Sequence, residues 1–457
     1  MLSTLRNAWK VPELRKRFLW TIFLVAIFRI GIHIPVPGID TSYLSSMTNS
    51  GGLLGFYNLI SGGALSKFSI FALSVSPYIN ASIIMQLLTI AIPSLEQLSK
   101  EGEEGRKKIA EVTRYLTVAL ALIESTAMII GFGNQGIFDT DAVKYSAMHD
   151  IRKWGVIVTG ILAMTAGSAV LMWIGEQITE KGVGNGISII LLYNIVSRLP
   201  NDMANLYEKF IKGATTVTNG LLGAVIILAV LLGMVVFIII LSDGERRISV
   251  QYSKKTQGRK LVGGQSSHIP LKVNTAGVIP VIFAGSLFSM PIVIAGFAGI
   301  QPASGAGASF GQKILKVLNQ NSWCNFDSLG EFKYTIGLVV YIVLLIFFAY
   351  FYTSITFNPQ EIAMNMKKQG GFIPGIRPGK PTTDYLTKIL NSIILLGAIG
   401  LSFVAVVPIF FSGAFGANVS FGGTSLIIIV GVVLETIKKI ESQMLVRNYT
   451  GFLNNKR

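Results

Sequence analysis

The feature that most constrains this chain is the way its positive charge alternates between successive loops. With both ends placed in the cytoplasm, 28 of the 39 Lys and Arg fall on the cytoplasmic side, leaving 11 for the other face and the spans. Such an imbalance is what orients a multi-pass membrane protein. The composition agrees, because 51% hydrophobic and 14% charged residues would leave a soluble globule coated with apolar side chains. A spanning helix takes about 20 mostly apolar residues. Windows of that kind lie at 18–34, 70–92, 116–133, 154–175, 183–200, 221–241, 275–297, 335–357, 389–411 and 424–440. The prediction is an all-α membrane protein of about ten transmembrane helices, an even number, as two cytoplasmic ends require.

The first window follows Arg15, Lys16 and Arg17 but runs into Ile34-Pro-Val-Pro-Gly38 rather than a small-residue cleavage site, which predicts a retained span and a mature chain starting at Met1. The spans divide into two halves of five, 1–200 and 201–457, separated by the polar stretch 200–220. An odd number per half makes the second inverted relative to the first, giving two pseudo-symmetric halves around a central path. The second span of each half is interrupted: Gly62, Gly63 and Pro77 in one, Gly277, Pro280 and Pro291 in the other. Paired interruptions of this kind point to a functional interface, although glycine and proline are also ordinary sources of kinks in membrane helices. The stretch 51–74 is moderately apolar, too short to span and broken by glycines at both ends. Irregular backbone at membrane depth is tolerated only when buried in protein or lining a cavity. The expectation is a short re-entrant helix, within about 52–70, folded back into the outer mouth of a pore.

Two basic cytoplasmic loops, 242–273 and 358–388, have internal structure. Ile248, Val250 and Tyr252 alternate with Ser249, Gln251 and Ser253 before a Lys-Lys-Thr-Gln-Gly-Arg-Lys turn and the return at Leu261-Val262, which reads as a projecting β-hairpin. In the second loop Asn358, Pro359 and Glu361 form a helix start and Gly370-Gly371 a stop. Arg377 is then held between prolines in Phe372-Ile-Pro-Gly-Ile-Arg-Pro-Gly379.

The same residues exclude several chemistries. Cys324 is the only cysteine, so no internal disulfide forms. His33, His149 and His268 have no metal-ligand spacing. No Gly-x-x-x-x-Gly-Lys-Ser/Thr loop is present, so any ATP-driven work belongs to a partner. No nucleophile and base stand in a catalytic pairing, which predicts a protein that is not an enzyme and holds no cofactor or metal. The rival reading, a secondary transporter of a small solute, needs ionisable residues within its spans. Glu124 in the third span is the clearest acidic case, and Arg29 near the outer end of the first can simply snorkel. What remains is a wide, chemically bland path closed by an apolar constriction, suited to a passenger of variable chemistry.

Four stretches carry a family resemblance. They are Ser76-Pro-Tyr-Ile-Asn-Ala-Ser-Ile-Ile-Met-Gln-Leu-Leu88, Gly175-Glu-Gln-Ile-Thr-Glu-Lys-Gly-Val-Gly-Asn-Gly-Ile-Ser188, Pro270-Leu-Lys-Val-Asn-Thr-Ala-Gly-Val-Ile-Pro280 and Phe421-Gly-Gly-Thr-Ser425. With the order of the spans, they resemble the SecY family of bacterial protein-translocase channels over essentially the whole chain. The resemblance implies a channel that passes unfolded secretory polypeptides across the cytoplasmic (inner) membrane and releases apolar helices sideways into lipid. It implies a pore ring of Ile79, Ile83, Ile187, Leu191, Ile282 and Ile428, where Leu191 stands in place of the expected isoleucine. Spacings of four put 79 with 83, and 187 with 191, on one helix face. It further implies a plug holding Phe56, Asn58, Ser61, Gly62, Gly63, Leu65 and Phe68, and a lateral gate between spans two and three and spans seven and eight. Glu124 and Asn274 match polar gate positions, where one hydrogen bond would hold the closed form. Arg259, Lys260 and Arg377 match docking surfaces for the SecA motor and the ribosome. SecE and SecG are the expected membrane partners, with signal sequences and secretory precursors as passengers.

Overall fold

A computed structural model describes residues 6, 8–39, 58, 61–133, 149–207, 217–252, 255–257, 260–262, 266–297, 300, 309–319, 322–324, 333–415 and 423–454. In chain order the elements are α1 (Pro12–Gly31), α2 (Ser76–Ala91), α3 (Pro93–Lys100), α4 (Glu103–Gly133), α5 (His149–Lys181), α6 (Gly186–Tyr207) and α7 (Val217–Asp243). Four strands follow, β1 (Glu245–Tyr252), β2 (Lys255–Gln257), β3 (Lys260–Val262) and β4 (Ser266–Lys272). The chain continues through α8 (Ile279–Phe297), α9 (Phe310–Leu318), α10 (Ile336–Thr356), α11 (Pro359–Lys368), β5 (Gly371–Phe372), α12 (Lys380–Phe415) and α13 (Gly423–Asn454).

Each of the ten apolar windows coincides with a helix: α1, α2, α4 to α8, α10, α12 and α13. Stretches within α4, α5, α10 and α12 are long and apolar enough by themselves to cross a membrane. Helix α1 begins with Glu13, Arg15, Lys16 and Arg17. Three helix ends differ from the windows. α6 runs through Pro200 to Tyr207. The second span starts only at Ser76, with Pro77 in its first turn, where the missing N–H costs no hydrogen bond. Its far end turns by 102° into α3, at a break before Pro93. In the other half Gly277 takes φ +64, and α8 begins two residues later with Pro280 in its first turn and Pro291 inside. The prolines at 77 and 280 thus stand at the starts of α2 and α8, and Pro291 lies within α8.

The two basic loops join one another. β1 pairs with β4 from Glu245↔Lys272 to Gln251↔Ser266, and β2 with β3 forms the tip. The return strand thus extends ten residues past Val262, to Lys272. Strand β1 also pairs on its other edge with β5, through Gln251↔Phe372 and Tyr252↔Gly371, so the two loops share one three-stranded sheet. Beneath the sheet Ile248, Val250, Leu271, Met366, Ile373 and Leu386 make a small apolar core. Helix α11 starts as expected: Asn358 Oδ1 accepts from the backbone N–H of Gln360 at 3.1 Å and of Glu361 at 3.4 Å.

Candidate pore, plug and docking face

At the centre, side chains from several helices form one apolar cluster. Leu191 (α6) and Ile428 (α13) are buried in it, and Ile79 (α2), Ile187 (α6) and Ile282 (α8) pack against it. Phe71 and Val75, on the approach to α2, belong to the same cluster. Ile83, one turn further along α2, packs instead against the cluster that contains Val281 and Phe283 of α8. Five of the six expected ring residues therefore meet in one place, while the sixth lies toward α8.

The motif Gly175–Ser188 holds Ile187 in position. A methyl group at Gly175 would collide with the Ile187 side chain, and one at Gly186 with the Gly175 carbonyl. The backbone N–H of Gly186 donates to Thr179 Oγ1 at 2.8 Å, and that of Ile187 to Asn185 Oδ1 at 3.2 Å. Arg114 Nε of α4 donates to Glu176 Oε1 at 2.7 Å, tying α4 to α5 beside the motif. Further along, Lys439 Nζ of α13 donates to Gly184 O at 3.0 Å, and Lys438 Nζ to Asp243 Oδ1 at 2.6 Å. The last helix thus ties to both the α5–α6 turn and the end of α7.

Against this centre lies the segment 61–75, a succession of hydrogen-bonded turns rather than a regular helix. Among the expected plug residues, Asn58, Ser61, Leu65 and Phe68 are buried, and Phe56 lies outside the described residues. Asn58 organises the turn. Its carbonyl accepts from Gly63 N–H at 2.9 Å and Ser61 Oγ at 3.1 Å, and its Oδ1 accepts from Ser66 N–H at 3.0 Å. Gly62 sits at φ +67, and a Cβ there would lie 2.5 Å from Asn194 Oδ1 of α6. Position 62 therefore requires glycine twice, for conformation and for space. The segment is anchored at its exit by an antiparallel bridge, Pro35↔Ser69. Val36 N–H donates to Phe68 O at 2.9 Å and Ile70 N–H to Ile34 O at 3.1 Å. Phe68 at φ +40 and Ser74 at φ +54 are non-glycine residues in left-handed backbone, a strained conformation that only the surrounding contacts maintain.

Arg29 does more than snorkel. Its Nη1 donates to Gly62 O at 3.3 Å, linking the last turn of α1 to the 61–75 segment. Lys67 is close by. Burial first, and then the Arg29 guanidinium, holds the Lys67 ammonium below the usual lysine range. Sequence alone gave Arg29 no partner, since its acceptor is a backbone carbonyl 33 residues away.

Of the helices expected at the gate, α4 touches both α2 and α8. Glu124 accepts from Asn80 Nδ2 at 3.1 Å, so its hydrogen bond stays between spans two and three instead of crossing to Asn274. Asn274 is half-buried in the turn before α8, its backbone against Gly397 of α12. The packing of α2 alongside α4 puts Asn80 opposite Glu124 first. In the loop expected to dock partners, Arg377 is exposed. Its carbonyl accepts from Thr382 Oγ1 at 2.9 Å, and Thr382 and Thr383 N–H both donate to Gly379 O. Lys260 lies in β3 at the tip of the hairpin, and Arg259 is outside the described residues. His33, His149 and His268 lie on separate elements, and no group of three metal-ligating residues is found among the described residues.

The family model for SecY matches residues 69–437. A protein translocase subunit SecY from Streptomyces galbus is 44% identical over 459 residues, covering 99% of this chain and 100% of that protein. A solved structure described as "The structure of a protein conducting channel" superposes with TM-score 0.60 at 17% identity, covering 96% of this chain and 97% of the other. A second has TM-score 0.59 with the same identity and coverage. It is described as showing that the plug domain of SecY stabilises the closed state of the translocation channel and maintains a membrane seal. By its motifs, its full-length relatives and its fold, this chain belongs to the SecY family.

Proposed function

We infer that this chain is the channel through which unfolded polypeptides cross the membrane and from which apolar helices pass sideways into lipid. The observation that carries this reading is the meeting of Ile79, Ile187, Leu191, Ile282 and Ile428, from four helices, with a buried, irregular backbone segment packed at the same centre. An apolar collar closes to water and ions by dewetting and has no affinity for a particular side chain, so it tolerates any sequence drawn through it. Ile83 extends the collar one turn toward α8. The segment from Asn58 to Phe68 is the plug that stops the collar from the outer side, as in the SecY structure described above. A solute carrier would need a charged or polar binding centre, and the family relationship gives that alternative no support.

Spans two and three form one wall of the lateral gate and α8 faces them, with Glu124 and Asn274 the polar positions on the two sides. The shared sheet and the Arg377 turn make the docking face for a SecA-type motor and for the ribosome, whose acidic side chains and RNA phosphates suit exposed Lys and Arg. SecE and SecG complete the complex, in a bacterial cytoplasmic membrane with both termini inside. Photo-crosslinkers at Leu191 and Ile282, with a secretory precursor arrested halfway through, test the reading. Crosslinks from both to the precursor's mature region are expected. Crosslinks only to lipid, with transport intact, would move the path elsewhere.

A further inference from the structure

The segment joining α8 to α10 carries the short helix α9, on the outer face in the ten-span reading. Its start is defined by Gln312 Oε1, which accepts from Ser309 N–H at 3.0 Å. Its far end is locked onto the first turn of α10. Trp323 Nε1 donates to Val317 O at 2.6 Å, and a Cβ at Gly337 would collide with that same carbonyl. Of the apolar residues of α9, Leu315 is buried in the protein, but Phe310 and Ile314, one turn apart, are 78% and 43% exposed. In α10, the helix to which α9 is fastened, Ile336, Val339, Val340 and Val343 are 60%, 57%, 46% and 60% exposed. The close approach of the Val317 carbonyl to Gly337 holds α9 beside the outer end of α10 in the ten-span reading. Among the described residues of this segment the charges are Lys313, Lys316 and Lys333. Lys313 and Lys316 are on the helix, which has no acidic residue, and Lys316 and Lys333 flank the buried Tyr334 ring at 4.8 and 5.4 Å.

We propose that α9 is an interfacial anchor that seats Phe310 and Ile314 in the outer leaflet, with Lys313, Lys316 and Lys333 against the phosphates of anionic lipid. The occupant is lipid rather than a protein because α9 is fastened to the first turn of a spanning helix whose own apolar residues stand exposed, and amphipathic helices with basic flanks lie in this plane. The proposal rests on the membrane topology of the channel reading, and its test is independent of transport.

The full-length chain, with Cys324→Ser to remove its only thiol, takes single cysteines at 310, 314 and, as a cytoplasmic water-exposed reference, 249. Each is labelled with an environment-sensitive fluorophore and reconstituted in phosphatidylcholine vesicles containing phosphatidylglycerol. The probes at 310 and 314 are expected to be at least ~3-fold less quenched by iodide than the probe at 249. They should be quenched by a nitroxide near the lipid headgroup, and more strongly when that nitroxide is on phosphatidylglycerol than on phosphatidylcholine. Iodide quenching equal to that at 249 would place α9 in water and overturn the proposal. Protection from both quenchers would mean that protein covers Phe310 and Ile314, and would overturn it equally. Precursor transport in unlabelled vesicles reports the channel separately, so either reading can fail while the other stands.

Discussion

Asn80 Nδ2 lies 3.1 Å from Glu124 Oε1, joining the second and third spans along the wall that faces α8. The bond stays within the α2–α4 pair, so in the proposed gate, opening would separate this pair from α8 without breaking it. Asn80→Leu leaves the carboxyl facing an apolar side chain at a cost of about 1–3 kcal/mol. The thermal midpoint of the purified protein should fall, and the double variant Asn80→Leu/Glu124→Leu should recover most of the loss. Additive losses in the two single variants and the double would show that the pair is not coupled.

Gly62 and Arg29 hold the 61–75 segment, the proposed plug, by different means, and their substitutions should rank. Gly62→Ala forces a side chain into left-handed backbone, about 1–2 kcal/mol, and adds the collision with Asn194 Oδ1. Arg29→Gln removes one hydrogen bond to Gly62 O, about 0.5–1.5 kcal/mol. Halide flux through vesicles containing the idle channel should rise in both, more for Gly62→Ala. Wild-type flux in Gly62→Ala would separate this segment from the seal.

Arg377 stands exposed on a turn fixed by Thr382 and Gly379. Arg377→Glu is expected to abolish motor-driven precursor transport while leaving the thermal midpoint unchanged. Thr382→Val, which removes the buried hydroxyl that holds the Arg377 carbonyl, should lower transport by roughly fivefold through loss of about 1 kcal/mol of positioning. Normal ATP-dependent transport by Arg377→Glu would exclude the turn from docking.

Gly371 is where the two cytoplasmic loops meet. A Cβ there would lie 2.8 Å from Tyr252 Cε1 and 2.9 Å from Met366 Cγ. Gly371→Val should open the β1–β5 edge, and limited proteolysis should then cut within 370–379 several-fold faster than in wild type. Unchanged cleavage would mean that the sheet absorbs the side chain.

The spans, their order and their bends were legible in the sequence because each depends on local quantities. An apolar window of about 20 residues has few alternatives to a membrane helix, prolines and glycines mark where its hydrogen-bond ladder breaks, and Asn358 caps a helix that starts beside it. The hairpin at 248–262 announced itself by alternation for the same reason. What the sequence could not decide was which distant groups meet. Strand β5 joins β1 across about 120 residues, and its two residues are too few to carry a pattern. Family motifs set Glu124 opposite Asn274, but the packing of α2 on α4 gives it Asn80. The acceptor for Arg29 is a carbonyl, which has no residue identity to read. The collar residues, finally, are aliphatics among many aliphatics. A membrane helix is apolar on every side, so periodicity cannot mark its inward face, and only the packing of four helices around one centre brings Ile79, Ile187, Leu191, Ile282 and Ile428 together.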